Sequence, residues 1–172
     1  SSLDWPERFA NPDNDIRRDM EEIARKAGLK FIVNTILNLD EKVVHIVAGD
    51  PVAAHRKGVE YAREVYQSNV SVRPDIVIVA SYPASRDLWQ TNKAVAAACM
   101  CVKPKGTIVV AAPCYEGAYP EHPEVMSLGN TPPEEVFQMS SAGKFSDVVG
   151  STGYISAGVM RRMANIILVT EG

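Results

Sequence analysis

The sequence predicts an α/β fold: a mainly parallel, Rossmann-like sheet flanked by helices, with an antiparallel hairpin near the N-terminus. Three observations carry that expectation. The runs "DIVIVA" (75–80) and "GTIVVAA" (106–112) are unbroken and rich in β-branched residues, the pattern of strands covered on both faces. The segment between them, 86–102, has helical periodicity and completes a βαβ unit. A last helix near 156–164 followed by "NIILVT" repeats the order of helix and then strand.

The elements follow in order. "NPDNDIRRDMEEIARKAG" reads as a loop and a helix: Asn14 or Asp15 can cap it, Ile16, Met20, Ile23, Ala24 and Ala27 recur at helical spacing, and Gly28 ends it. "LKFIVNTILN" and "KVVHIVAGD" are β-rich runs separated by the turn "LDEK", which makes them a hairpin. "DPVAAHRKGVEYAREVYQ" has a cap at Asp50, Pro51 at the first helical position and an apolar stripe of Val52, Val59, Ala62, Val65 and Tyr66. After "NVSVRP" the βαβ unit begins, and "VKPKG" supplies the turn into its second strand. Residues 113–153 are dense in Pro, Gly and Ser around one short helix at 132–140. Such an excursion after a strand end is where sites are commonly built.

A length of 172 residues with 46% apolar content suits a single domain, 1–172, with a sizeable core. The net charge of -3, without a Lys/Arg stripe, gives no footprint for nucleic acid or an anionic membrane. The apolar runs are far shorter than the roughly 20 residues of a membrane span. The start "SSLDWPERFANPDND" is polar and has no signal-peptide core, so the expected location is cytoplasmic. Cys99, Cys101 and Cys114 are an odd set without a C-x-x-C, expected to be reduced and mostly buried.

In open parallel sheets, ligands collect at the carboxyl ends of the strands. Three segments meet that description: 81–90, 113–120, and a helix start near 154–156. In "SYPASRDLWQTNK" (81–93), Leu88, Val95, Ala98, Cys99 and Val102 form the core stripe of the helix. Gln90 and Lys93 lie one turn apart on the opposite side, with Trp89 flanking them. Periodicity alone makes those two an ordinary solvated face. Trp89 argues the other way, because a large apolar ring beside two polar groups suggests that something covers it. A Lys ammonium with a Gln amide suits a small carboxylate or hydroxy acid.

Other candidates are weaker. His45 and His55 read as structural, His122 sits among prolines near Glu121 and Glu124, and Glu116 suits a turn cap. No metal-binding His spacing, Walker loop, G-x-S-x-G or G-x-G-x-x-G occurs.

Four ordered segments, "NPDNDIRRDMEEIARKAGLKFIVNTILN", "AGDPVAAHRKGVEYA", "PDIVIVASYPASRDLWQTNKAVAAA" and "VKPKGTIVVAAPCYEG", cover residues 11–117. Together they resemble the C-terminal domain of the nickel-pincer lactate racemase family of 2-hydroxyacid racemases and epimerases, with a looser match from "TPPEEVF" to the end. The resemblance implies that Lys93 and Gln90 are catalytic and that Trp89, Tyr82 and Tyr154 bind substrate. It implies hydride transfer from a 2-hydroxy acid to a nickel pincer mononucleotide, with the flat 2-keto acid taking the hydride back on either face. The family's tethering Lys, His nickel ligand and two acid/base His lie in a larger N-terminal domain that nothing here matches. The chain is therefore expected to be the C-terminal half of a two-domain enzyme, to bind no cofactor alone, and to need an N-terminal catalytic domain or subunit as partner. The family's Trp near the last helix is missing from "GSTGYISAGVMRRM", which leaves open a 2-hydroxy acid other than lactate. Two rival readings are a non-catalytic binding module of the same fold and a Rossmann-like nucleotide-cofactor transferase, suggested by "VKPKGTIVV".

Overall fold

Local sequence signals recur as built elements in the computed structural model, which describes residues 12–171. The polar stretch 1–11, read above for the absence of a signal-peptide core, lies outside the described residues. Contacts gather into two units, one up to residue 69 and one from residue 70. Each unit has its own sheet and is taken in turn.

The first unit holds α1 (Asp15–Lys26), β1 (Ile32–Leu37), β2 (Val43–Gly49) and α2 (Pro51–Tyr66). Asn14 caps α1 by accepting the Arg17 N–H at 2.9 Å. The hairpin is antiparallel, with Asn34 opposite Val47 and Ile36 opposite His45. Its turn is built by Asn38, whose side-chain oxygen accepts the N–H groups of Asp40 and Lys42, both at 3.0 Å. Asp50 caps α2 through the N–H groups of Val52 and Ala53, and Pro51 stands at the first helical position. Ile36, Val47 and Ala54 are buried where α2 packs on the hairpin.

The second unit holds β3 (Ile76–Ala80), α3 (Leu88–Cys101), β4 (Thr107–Ala111), a 3₁₀ helix (Pro123–Leu128), α4 (Pro133–Ser141), α5 (Val148–Met163) and β5 (Asn165–Val169). The strands form a parallel sheet in the order β3-β4-β5. Helix α3 packs on β3 and β4, and α5 packs on α3 and β5. Ile108 and Val110 of the central strand are almost wholly buried. The apolar runs were expected to be covered on both faces. Instead Ile76, Ile78, Ile167 and Val169, which alternate to one face, remain exposed.

The last helix also departs from expectation, starting at Val148 rather than near 156. "GSTG" reads as loop because glycine is a poor helix former, but tertiary contacts override that preference. A Cβ at Gly150 would come within 2.7 Å of Val125 Cγ2, and one at Gly158 would overlap Pro133. Close approach of neighbouring elements is why α5 carries glycines. Around it Val125, Leu128, Val136, Phe145 and Tyr154 form a buried cluster.

Candidate functional site

Helix α3 starts beside the carboxyl ends of β3 and β4, where Ser81 N–H donates to the Ala111 carbonyl at 3.1 Å. The Tyr82–Pro83 peptide in the turn that follows is cis. The chain after β4 runs alongside this turn: Cys114 N–H donates to Ser85 C=O, and Glu116 N–H to Arg86 C=O. In return, Leu88 and Trp89 N–H donate to the carbonyls of Gly117 and Ala118, each at 3.1 Å. Asp87, 1% exposed, caps the helix by accepting Gln90 N–H at 2.7 Å. The first amides of α3 are thus all engaged. An anion arriving here must be held by side chains, not by the helix terminus.

Two cations stand near that terminus, and they differ. Arg86 lies 3.0 Å from Asp87, 3.1 Å from Glu116 and 2.8 Å from Glu121, and these carboxylates, Glu121 first, raise its pKa. Its charge is neutralised within the fold. Lys93 is exposed and donates to Gln90 Oε1 at 2.6 Å, and among the described residues no carboxylate pairs with it. A Lys bonded to the amide oxygen leaves its remaining N–H groups and the amide NH₂ as donors. The pair therefore presents one positive charge and several donors, which is what a carboxylate takes.

Trp89, one residue before Gln90 and one turn before Lys93, is half-buried. Its ring lies against Gly153 of α5, where a Cβ would overlap ring atoms Cζ3 and Cη2. Tyr119 approaches edge-on at 6.2 Å between centroids, and the His122 ring lies tilted at 4.3 Å. His122 Nδ1 is 2.8 Å from Asp147 Oδ2. Asp147 also caps α5, its Oδ1 accepting Gly150 N–H at 2.7 Å. That backbone bond, followed by His122, holds the Asp147 carboxyl below its usual range. The sequence leads to the expectation that something covers Trp89. The fold itself supplies three neighbours, so exposure of the ring is no argument for a ligand.

The structure thus brings Trp89, Gln90 and Lys93 together on one helical turn. Tyr82 is 86% exposed in the preceding turn. Tyr154 is 5% exposed within the core cluster, and its hydroxyl donates to the carbonyls of Gly129 (3.0 Å) and Thr131 (2.9 Å). That hydroxyl is committed to the fold. The expected helix start near 154–156 does not exist, since those residues are interior to α5. Glu116 serves its turn through Arg86. His45 stacks on Tyr61 at 4.2 Å. His55 lines a cavity of about 290 Å³ in the first unit with Arg17, Glu21 and Asn34, and burial, then Arg17 and Arg56, lowers its pKa. Cys99 and Cys114 are buried, and burial pushes the Cys99 thiol up to about 11. Among the described residues no three His, Cys, Asp or Glu side chains gather as a metal site, and no helix is long and apolar enough to cross a membrane.

Gly153 and the His122–Asp147 pair went unrecognised. Their signal was the spacing Asp147–Gly150, an N-cap and its recipient amide, which would have started α5 eight residues sooner.

No family model matches the chain. It is 37% identical over 108 residues to the lactate racemase of Thermoanaerobacterium thermosaccharolyticum, a match covering 61% of this chain and 25% of that protein. It is 36% identical over 106 residues to the lactate racemase of Lactiplantibacillus plantarum, covering 60% of this chain and 25% of that one. Among solved structures, the lactate racemase apoprotein from T. thermosaccharolyticum matches with a TM-score of 0.75 at 29% identity, over 93% of this chain and 39% of that chain. The chain spans about a quarter of the length of these curated relatives.

Proposed function

Because this chain carries a domain of the lactate racemase family, we propose that it is the substrate-holding domain of a racemase or epimerase acting on a small 2-hydroxy acid, working with a companion catalytic domain. The observation that carries this reading is the contrast between two cations at one helix start. Arg86 is neutralised by carboxylates, while Lys93 stands exposed with a neutral amide as its partner. A protein that needed only a solvated helix face has no use for that asymmetry.

The residues of this chain do not fit the nickel pincer nucleotide of the family. Among the described residues no three His, Cys, Asp or Glu side chains gather as a metal site, and on this reading the cofactor and the hydride chemistry are supplied by the companion. What this chain does is bind and orient. The Lys93 ammonium holds the carboxylate of the acid as a fixed point charge while the α-carbon changes geometry. The Gln90 amide donates to a second oxygen of the same acid and fixes its rotation. The Trp89 ring, one helical turn before Lys93, offers an apolar wall on the α5 side of the acid, and the companion closing over this turn would exclude water and strengthen the ionic contact.

The test is assembly of the chain with the companion domain of a lactate racemase, cofactor loading, and incubation with optically pure 2-hydroxy acids. Loss of optical rotation that depends on the presence of this chain is the expected result. Rotation that stays constant for every acid, from an assembled and loaded complex, would favour a binding module without catalysis.

A further inference from the structure

The proposed function does not say what sets the room available to the acid's own side chain. Trp89 and Lys93 stand four residues apart on α3, the spacing at which helical side chains are neighbours, so the placement of the indole bounds the room on one side of the pair. The residues that place it lie on other elements. On one side the indole meets Gly153, where any side chain would overlap the ring. On another it meets the His122 imidazole at 4.3 Å. That imidazole is held through Nδ1 by Asp147, 2.8 Å away. Asp147 is itself pinned, because it caps Gly150 and its own N–H donates to Glu124 Oε2 at 3.0 Å. Glu124 in turn accepts the Ser146 N–H and hydroxyl. From Glu124 to the indole every link is a hydrogen bond or a ring contact.

We propose that Gly153 and His122, backed by Asp147, are positioning residues that fix the Trp89 indole beside the Lys93–Gln90 pair, so that α5 and the loop before the 3₁₀ helix set how large a C2 substituent the acid carries. The size consequence rests on the proposed function. The fixing of the indole does not.

Trp5 and Trp89 are the only tryptophans, so Trp5→Phe in the full chain isolates the Trp89 emission. Against that background, His122→Asn keeps a donor for Asp147 but removes the tilted ring that lies against the indole. His122→Phe keeps a ring and removes the donor. Gly153→Ala pushes the indole out. The expected results are a brighter Trp89 for His122→Asn, a red-shifted and more acrylamide-accessible one for Gly153→Ala, and higher accessibility without brightening for His122→Phe. Should Gly153→Ala fail to fold, Trp89→Phe/Gly153→Ala is expected to recover the melting temperature, because the smaller ring makes room for the methyl. Folded single variants with unchanged emission and accessibility, or a double variant no better than Gly153→Ala alone, would overturn the positioning role.

In the assembled enzyme, Gly153→Ala is expected to change the kcat/KM ratio between an acid one methylene longer and lactate by tenfold or more, with the change in KM rather than kcat. An unchanged ratio would overturn the size assignment. If no acid is turned over by the unsubstituted enzyme, the proposed function falls, and the fluorescence results alone decide the positioning of the indole.

Discussion

Two faces of the first turns of α3 are built on opposite terms. Lys93 and Gln90 bond chiefly to each other and stand toward solvent, whereas Trp89 is seated against Gly153, Tyr119 and His122. The polar pair gives up one 2.6 Å contact when it rearranges around a ligand. The indole cannot move without disturbing α5 and the loop before the 3₁₀ helix. The difference teaches that one helix turn holds an adaptable polar grip next to a fixed apolar wall, the combination that small-molecule sites use to bind and orient.

The largest expected effect breaks the wall. Trp89→Ala removes a half-buried indole whose cavity α3 and α5 cannot readily close, and should destabilise the chain by about 2–4 kcal/mol in a denaturant titration. A loss under about 0.5 kcal/mol, the level of an ordinary surface substitution, would make the two faces alike. The next effect bears on the grip. Gln90→Ala should lower kcat/KM of the assembled enzyme by about tenfold, the scale of one hydrogen bond to a charged group, while leaving the melting curve in place. The smallest effect concerns what stands behind the wall. The Asp147 carboxyl has a folded pKa below its unfolded value, so its contribution to stability is present above the unfolded value of about 3.9 and is lost as pH falls through the folded one. Asp147→Asn keeps a cap for α5 but removes the titration, so the fall in melting temperature below about pH 4 should be shallower in the variant.

The sequence made some of this plain and hid the rest for physical reasons. The cap and proline at Asp50 and Pro51 act within one turn, and α2 begins where they place it. The β-branched runs at 75–80 and 106–112 became β3 and β4, since strand propensity and burial agree there. The turn of Trp89, Gln90 and Lys93 was readable because helical spacing fixes which residues stand one turn apart and which flank them. The start of α5 was not readable, since Gly150 and Gly153 serve neighbours distant in the chain and look locally like loop. For the same reason the seat of Trp89 was invisible: His122 and Asp147 are 25 residues apart and meet only in the fold. The exposed second face of the parallel sheet was equally out of reach, because an apolar run says that a strand tolerates burial and not that a neighbour buries it.

The claim that the exposed ammonium on α3 grips the substrate is tested most directly by Lys93→Ala, measured twice: kcat/KM for 2-hydroxy acids in the assembled enzyme, and melting temperature of the chain alone. A grip made by one preorganised charge should lower kcat/KM on the order of 10²–10³ and leave the melting temperature where it was. Unchanged turnover together with a clear drop in melting temperature would contradict it, and would return Lys93 to the structural face of its helix.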